Sequence, residues 1–184
     1  HYYLITEKFA GMDPTLPVLE DPDANTYLRE EVGGLMVGLF EPGSTPWKVE
    51  GIPQDFSFGE IEPDWDRMTP HLERAMARIP ACLGAGVKKF FCGPESFTAD
   101  LRPCLGEAPE LKNFFVAAGL NSIGILTGGG VGRLMAHWIV NGKPDADVTA
   151  FNVDRLQRYQ SNPFFKCPPT TEMLGQVYKC HYPG

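Results

Sequence analysis

Apolar and polar positions change period several times along the chain. His1 to Glu7 carries Tyr-Leu-Ile-Thr and reads as a strand. A turn-rich stretch with Gly11, Pro14 and Pro17 follows. From Thr26 to Glu31 the residues alternate, so Leu28 faces inward while Arg29 faces out. Leu35, Val37 and Leu39 then share one face, and Gly33-Gly34 between the two runs supplies a tight turn. Together these predict a β-hairpin. Glu41 to Pro63 holds four prolines and reads as a loop, with Trp47, Phe56 and Phe58 to pack it down. The period then lengthens. Trp65, Met68, Leu72, Met76 and Ile79 recur at three- and four-residue steps, the apolar stripe of a helix. Pro63-Asp64 opens it, Pro80 ends it, and Pro70 inside predicts a kink or a second start.

Val87 to Cys92 reads as a strand stopped by Gly93-Pro94. Phe114 to Ala118 is a second apolar strand that ends at Gly119. Glycines follow at 124, 128, 129, 130 and 132. Val131, Leu134, Met135, Trp138 and Ile139 form an amphipathic helix closed by Asn141-Gly142. Beyond Asp145 the pattern gives loop and short helix, with Asn152 to Tyr159 as the helical piece. No repeat or low-complexity tract is visible. Helices and hairpins do not alternate regularly, so the fold class is α+β rather than a doubly wound sheet.

Composition narrows the partners. The chain has 184 residues, one domain by length, with 43% hydrophobic and 21% charged residues. A net charge of -7 argues against nucleic acid, because phosphate binding needs concentrated Lys and Arg. The longest apolar run, Phe114 to Leu126, is too short and too glycine-rich to span a bilayer, so no membrane partner is expected. No signal or transit peptide is visible ahead of the strand at His1. The cysteines are Cys82, Cys92, Cys104, Cys167 and Cys180, an odd number without a CxxC pair. No metal site or disulfide framework is expected, and reduced thiols fit a cytosolic or matrix compartment.

One segment carries candidate chemistry: Phe114-Phe-Val-Ala-Ala-Gly119-Leu120-Asn121-Ser122-Ile123-Gly124, then Gly128-Gly129-Gly130-Val-Gly132. A strand, a glycine-dense turn and a helix start allow backbone to approach a flat or anionic ligand. The same pattern also fits a tight packing turn with no ligand. The dinucleotide fingerprint fails for want of its third glycine, and no Gly-Lys-Ser/Thr is present. Asn121 and Ser122 interrupt an apolar run where polar groups need partners. Thr98 and Asp100 suit the bracing or capping of a turn. His71 and His137 read as helix-surface histidines.

The order of segments is more specific. Gly93-Pro94-Glu-Ser-Phe-Thr98-Ala-Asp100-Leu-Arg-Pro103 precedes the apolar strand and its glycines, and His137-Trp138-Ile-Val-Asn-Gly142-Lys-Pro144 and Asp154-Arg155-Leu follow. This arrangement, with the opening His-Tyr-Tyr-Leu-Ile-Thr-Glu, resembles the C-terminal part of the FAD-dependent D-amino-acid oxidase superfamily. Within it, the pattern is similar to the branch of sarcosine dehydrogenase, dimethylglycine dehydrogenase and the pyruvate dehydrogenase phosphatase regulatory subunit. The resemblance implies a substrate-domain antiparallel or mixed sheet plus the returning strand and helix of a FAD-binding domain. Residues 1–112 are then mostly substrate domain, 113–142 the returning strand-turn-helix, and 143–184 a connecting segment.

The resemblance further implies oxidation of a small N-methyl amine such as sarcosine or dimethylglycine, by hydride transfer to FAD. The iminium product is hydrolysed or captured by tetrahydrofolate in a domain not in this sequence. Gly119, Leu120, Asn121, Ser122, Ile123, Gly124, Gly128 and Gly129 are the implied flavin contacts, with Gly128 to Gly130 opening the last helix. His1, Tyr3 and Arg29 are substrate-binding candidates, and Tyr2 and Tyr27 further cavity candidates. The catalytic group is not assigned. The main FAD-binding half is expected before His1, so the rest of a longer chain is a necessary partner. The segment alone is expected to bind FAD poorly and to be inactive. Its location is expected to be the mitochondrial matrix in a eukaryote and the cytoplasm in a bacterium. Two alternatives stay open: a non-catalytic regulatory homologue, and an autonomous binding domain unrelated to flavin.

Overall fold

The computed structural model describes residues 1–177 and 179. Cys180 lies outside the described residues. The chain divides into two compact units. One holds residues 1–44, 52–94 and the described residues from Leu174 on; the other holds residues 45–51 and 95–173.

The first unit is built on five antiparallel strands: β1 (Tyr2–Thr6), β2 (Leu19–Asp21), β3 (Thr26–Glu31), β4 (Gly34–Leu39) and β5 (Val87–Cys92). They lie in the order β2-β3-β4-β1-β5. Helix α1 (Trp65–Met76) covers one face. Tyr2 and Leu4, Leu28, and Leu35, Val37 and Leu39 point to that side and meet Met68, Leu72 and Ala75. The alternation expected of β3 and β4 therefore sets the core. Each fully buried aliphatic side chain there contributes about 1.5–3 kcal/mol. Asp64 caps α1 by accepting from the Arg67 N–H at 3.0 Å.

Three local expectations need correction. The hairpin turn centres on Val32 and Gly33, both with positive φ, and Gly34 already pairs with Glu31. Gly33 serves the left-handed turn. Gly34 serves space, because a Cβ there would sit 2.7 Å from the Thr6 carbonyl oxygen. Pro70 does not restart α1, which runs unbroken from Trp65 to Met76 with Pro70 on its exposed side. Strand β2 was hidden because it is a three-residue edge strand lying between Pro17 and Pro22.

The second unit pairs β6 (Cys104–Glu107) with β7 (Phe115–Ala118) and adds helix α2 (Gly124–Asn141). Met135 and Trp138 of α2 pack with Leu105 and Val148. Gly106 makes room for the Trp138 ring, which a Cβ would meet at 2.6 Å. Gly142 closes α2 in the left-handed conformation, as its position after Asn141 predicts. The helix start was misplaced. It opens at Gly124, so Gly128, Gly129 and Gly130 lie inside it rather than at its entrance. The stretch 152–159 holds only 3-10 turns, at Val153–Arg155 and Arg158–Ser161. The last helix among the described residues is instead α3 (Pro163–Val177). Its Pro168 and Pro169 obscured it, although Pro163 suits a first helical position. Antiparallel sheets beside separate helices make the fold α+β. No helix among the described residues is long and apolar enough to cross a membrane.

Candidate functional site

The residues singled out from sequence fall in two places, one in each unit. In the second unit, β7 runs out into the turn Gly119–Gly124. Gly119, Asn121 and Ser122 have φ of 65°, 51° and 66°. Two consecutive non-glycine residues in the left-handed region store strain of about 1 kcal/mol or more each. The surroundings must hold them, and they do. Asn121 is 2% exposed. Its Nδ2 donates to the Gly119 carbonyl at 2.6 Å, and its Oδ1 accepts from the Thr98 N–H at 2.8 Å and lies 3.3 Å from Thr98 Oγ1. Ser122 Oγ donates to Glu95 at 3.0 Å. Lost hydration around the Glu95 carboxyl raises it above the ordinary carboxylate range, although the residue as a whole is exposed; the Ser122 bond opposes that shift. Gly119 also answers to space, since a Cβ there would meet the Thr98 methyl at 2.7 Å.

The turn delivers the chain into α2 through Ile123, which holds the cap position without a side-chain hydrogen bond. The first N–H groups of a helix have no partner within it, and the helix dipole makes them favour negative charge. Beyond them, Ile125 is fully exposed and Leu126 is 82% exposed. A Cβ built at Gly128, Gly129, Gly130 or Gly132 would meet nothing within 4 Å. Thus Gly119, Leu120, Asn121, Ser122, Ile123 and Gly124 form one braced turn, with Gly128 and Gly129 further along the helix it opens.

The second place is the sheet face opposite α1. Strand register aligns Phe91, Tyr3, Gly38 and Tyr27 in one row across β5, β1, β4 and β3. Tyr3 stacks on Phe91 at 5.1 Å and meets Tyr27 edge-on at 6.3 Å. His1 stacks on Tyr3 at 4.3 Å, and its Nδ1 lies 3.1 Å from the Tyr3 hydroxyl. Phe40 lies 4.3 Å from the His1 ring. The missing side chain of Gly38 lets Tyr27 lie across β4, since a Cβ would meet that ring at 2.2 Å. Arg29 stands in the neighbouring row with Met36, Ile5 and Lys89 and pairs with Glu31 at 2.7 Å. The fold thus brings His1 and Tyr3 together and leaves Arg29 engaged with its own strand.

Tyr2 is not on this face. It belongs to a buried network on the α1 side, where Arg67 donates to its hydroxyl at 3.1 Å and to Glu41 at 3.0 Å. Burial raises the Tyr2 phenol above its ordinary value. His71 sits 2.9 Å from Arg74 on α1, and burial, then that guanidinium, lower its pKa. His137 lies 3.9 Å from Asp145. Phe91 and Gly38 went unnoticed in the sequence, although both are one strand register away from Tyr3. Arg155 was seen only as part of a motif. It makes a fork on Asp100, at 2.8 and 3.1 Å, that holds the Asp100 carboxyl below the usual carboxylate range.

Comparison with known proteins places this geometry. A family model described as "FAD dependent oxidoreductase" matches residues 1–138. The chain is 40% identical, over its whole length, to 22% of the 4-methylaminobutanoate oxidase (formaldehyde-forming) of Paenarthrobacter nicotinovorans. Over 85% of its length it is 43% identical to 17% of mitochondrial sarcosine dehydrogenase from Mus musculus. The chain therefore spans about a fifth of these relatives. The crystal structure of glycine oxidase from Geobacillus kaustophilus shares the fold, with a TM-score of 0.64 at 24% identity, over 85% of this chain and 38% of that one. An aromatic-faced antiparallel sheet and a strand that turns into an uncapped, glycine-rich helix are the structural features that this match covers, and the chain belongs to the FAD dependent oxidoreductase family.

Proposed function

We propose that the chain is the substrate-side sheet and a flavin-contacting turn of an oxidoreductase that removes hydride from a small N-methyl amine, such as sarcosine or dimethylglycine. The uncapped start of α2 behind a strained, braced turn carries this reading, because it lies in a chain whose relatives are named for such amines. The residues present fit a flavin. The turn offers N–H donors with no competing side-chain cap, and glycines whose faces are open. When bound, FAD supplies a two-electron acceptor for hydride from the carbon beside the amine nitrogen.

The chain's own residues do the rest. Gly119, Leu120, Asn121, Ser122, Ile123 and Gly124 would form the turn beside the flavin; the Ile123 N–H closes the turn on the Leu120 carbonyl at 3.0 Å, and the N–H groups at the start of α2, with its dipole, would favour negative charge arriving there. Gly128 and Gly129 leave room for close approach. His1, which is buried, and Tyr3 hold a ring nitrogen and a phenol 3.1 Å apart among the aromatic rings of this face, a pair that would orient an amine and hold a proton near it. Arg29 is the candidate partner for a substrate carboxylate, provided it gives up Glu31. Tetrahydrofolate, as acceptor of the one-carbon product, belongs to a domain beyond these residues. Residues 1–112 are proposed as mostly substrate domain, 113–142 as the return to the FAD domain, and 143–184 as a connection. The mitochondrial matrix in a eukaryote, or the cytoplasm in a bacterium, is the proposed location.

The test uses the complete protein. Purified, it should show a flavin visible spectrum and should reduce an artificial electron acceptor with sarcosine or dimethylglycine. A flavin spectrum without turnover on any N-methyl amine favours the silent regulatory homologue. The absence of flavin refutes the cofactor reading.

A further inference from the structure

We propose that Asp100, Arg155 and Thr98 are positioning residues for the flavin-contacting turn, acting through Asn121. The inference rests on the reading that residues 119–124 meet the flavin, and it adds what holds them there.

The chain of contacts is continuous within the second unit. Arg155 is 14% exposed in its side chain and has its donors on one loop and its own turn. Nε and Nη2 fork onto Asp100 at 2.8 and 3.1 Å. Nη2 also reaches the Arg102 carbonyl at 2.7 Å, and Nη1 the Pro103, Phe151 and Asn152 carbonyls at 3.0, 3.0 and 3.1 Å. That fixes the loop 100–103. Thr98 Oγ1 then donates to the same Arg102 carbonyl at 2.9 Å. The Thr98 N–H meets Asn121 Oδ1 at 2.8 Å, and Asn121 Nδ2 holds the Gly119 carbonyl at 2.6 Å. The Thr98 methyl fills the space that a Gly119 Cβ would need.

Each link has a physical reason to matter. The planar guanidinium matches a carboxylate and nearby carbonyls at once, which a lysine cannot do. Asn121 is buried, and its carbonyl oxygen is held by the Thr98 backbone N–H, so a Thr98 backbone released from the Arg102 carbonyl would leave that oxygen short of a partner in a poorly hydrated place. Asn121 and Ser122 sit in a left-handed conformation that relaxes when the brace is gone. A relaxed turn moves the first N–H groups of α2 away from any ligand they were aimed at.

Two readouts on the complete protein test this: FAD affinity, from reconstitution of apoprotein, and hydrogen exchange of the 119–124 amides in the apo state. Thr98→Val, which removes Oγ1 but keeps the shape, should weaken FAD binding about tenfold and speed exchange at the turn. Thr98→Ser should restore both. Asp100→Asn should act in the same direction, and the Thr98→Val/Asp100→Asn double variant should lose less than the two single losses combined, because both break one chain of contacts. Arg155→Lys should not rescue. If these variants melt earlier yet keep wild-type FAD affinity and wild-type exchange at 119–124, the residues are structural only and the inference is overturned. If the wild-type complete protein binds no FAD, the flavin reading itself has failed, which is a separate result.

Discussion

At the scale of single residues, the glycines separate into those that serve conformation and those that serve space. Gly119 is tied by a positive φ and by the Thr98 methyl. Gly129 is tied by neither: it lies inside α2 with an ordinary φ and open space around the missing Cβ. A glycine inside a helix costs about 1 kcal/mol relative to alanine. No neighbour within 4 Å of a Cβ there requires glycine, and we propose a ligand-side role for it. Gly129→Ala should therefore raise the melting temperature of the apoprotein while weakening FAD binding. Thermal melts with and without FAD, compared with wild type, check both signs. An alanine that stabilises apo and holo forms equally would remove Gly129 from the flavin site. Sequence could flag these glycines by density, but it could not sort them. Sorting needs φ and neighbouring atoms.

At the scale of elements, the hairpin and the first helix were readable because their apolar period holds through the middle of each element. Leu35, Val37 and Leu39 alternate into the core, and Met68, Leu72 and Ala75 line one helix stripe. The start of α2 was not readable, since four glycines mimic a loop where the helix has already begun. Strand β2 escaped notice for another reason. It is held less by pattern than by a charge: Asp21, almost fully buried at its end, takes the Arg78 guanidinium beyond α1 and the Ala24 N–H at 3.2 Å. That hydrogen bond from Arg78 holds the Asp21 carboxyl below the usual range. A carboxyl lowered by folding stabilises the fold above its unfolded value, near pH 3.9, and that contribution is lost as pH falls through the lower folded value. Asp21→Asn should thus lower the melting temperature at pH 7. The gap from wild type should close on acidification from about pH 4 downward. A gap of constant size down to pH 2 would show that the ion pair contributes nothing that titrates.

At the scale of the whole molecule, the family is legible, and part of the surface around α2 is bare apolar. The order of segments identified the flavin relationship, because order survives where single motifs drift. The aromatic row of Phe91, Tyr3 and Tyr27 was not legible, because it exists only once three strand registers are set. What remains bare is equally informative. Ile125, Leu126 and Val140 of α2 stand 104%, 82% and 81% exposed, beside glycines with open faces. Apolar surface of this kind loses about 25 cal/mol for every Å² left in water. The relatives it matches are about five times longer, and in a protein of that length we expect further chain to cover α2. Residues 1–184 expressed alone should then self-associate or bind an apolar dye. They should also hold FAD at least ~100-fold more weakly than the complete protein, a difference of about 2.7 kcal/mol. Sedimentation and a flavin titration on both proteins measure these differences. A monomeric, tightly bound yellow complex from the segment alone would falsify the expectation, for it would mean that this sheet, turn and helix already contain the whole flavin site.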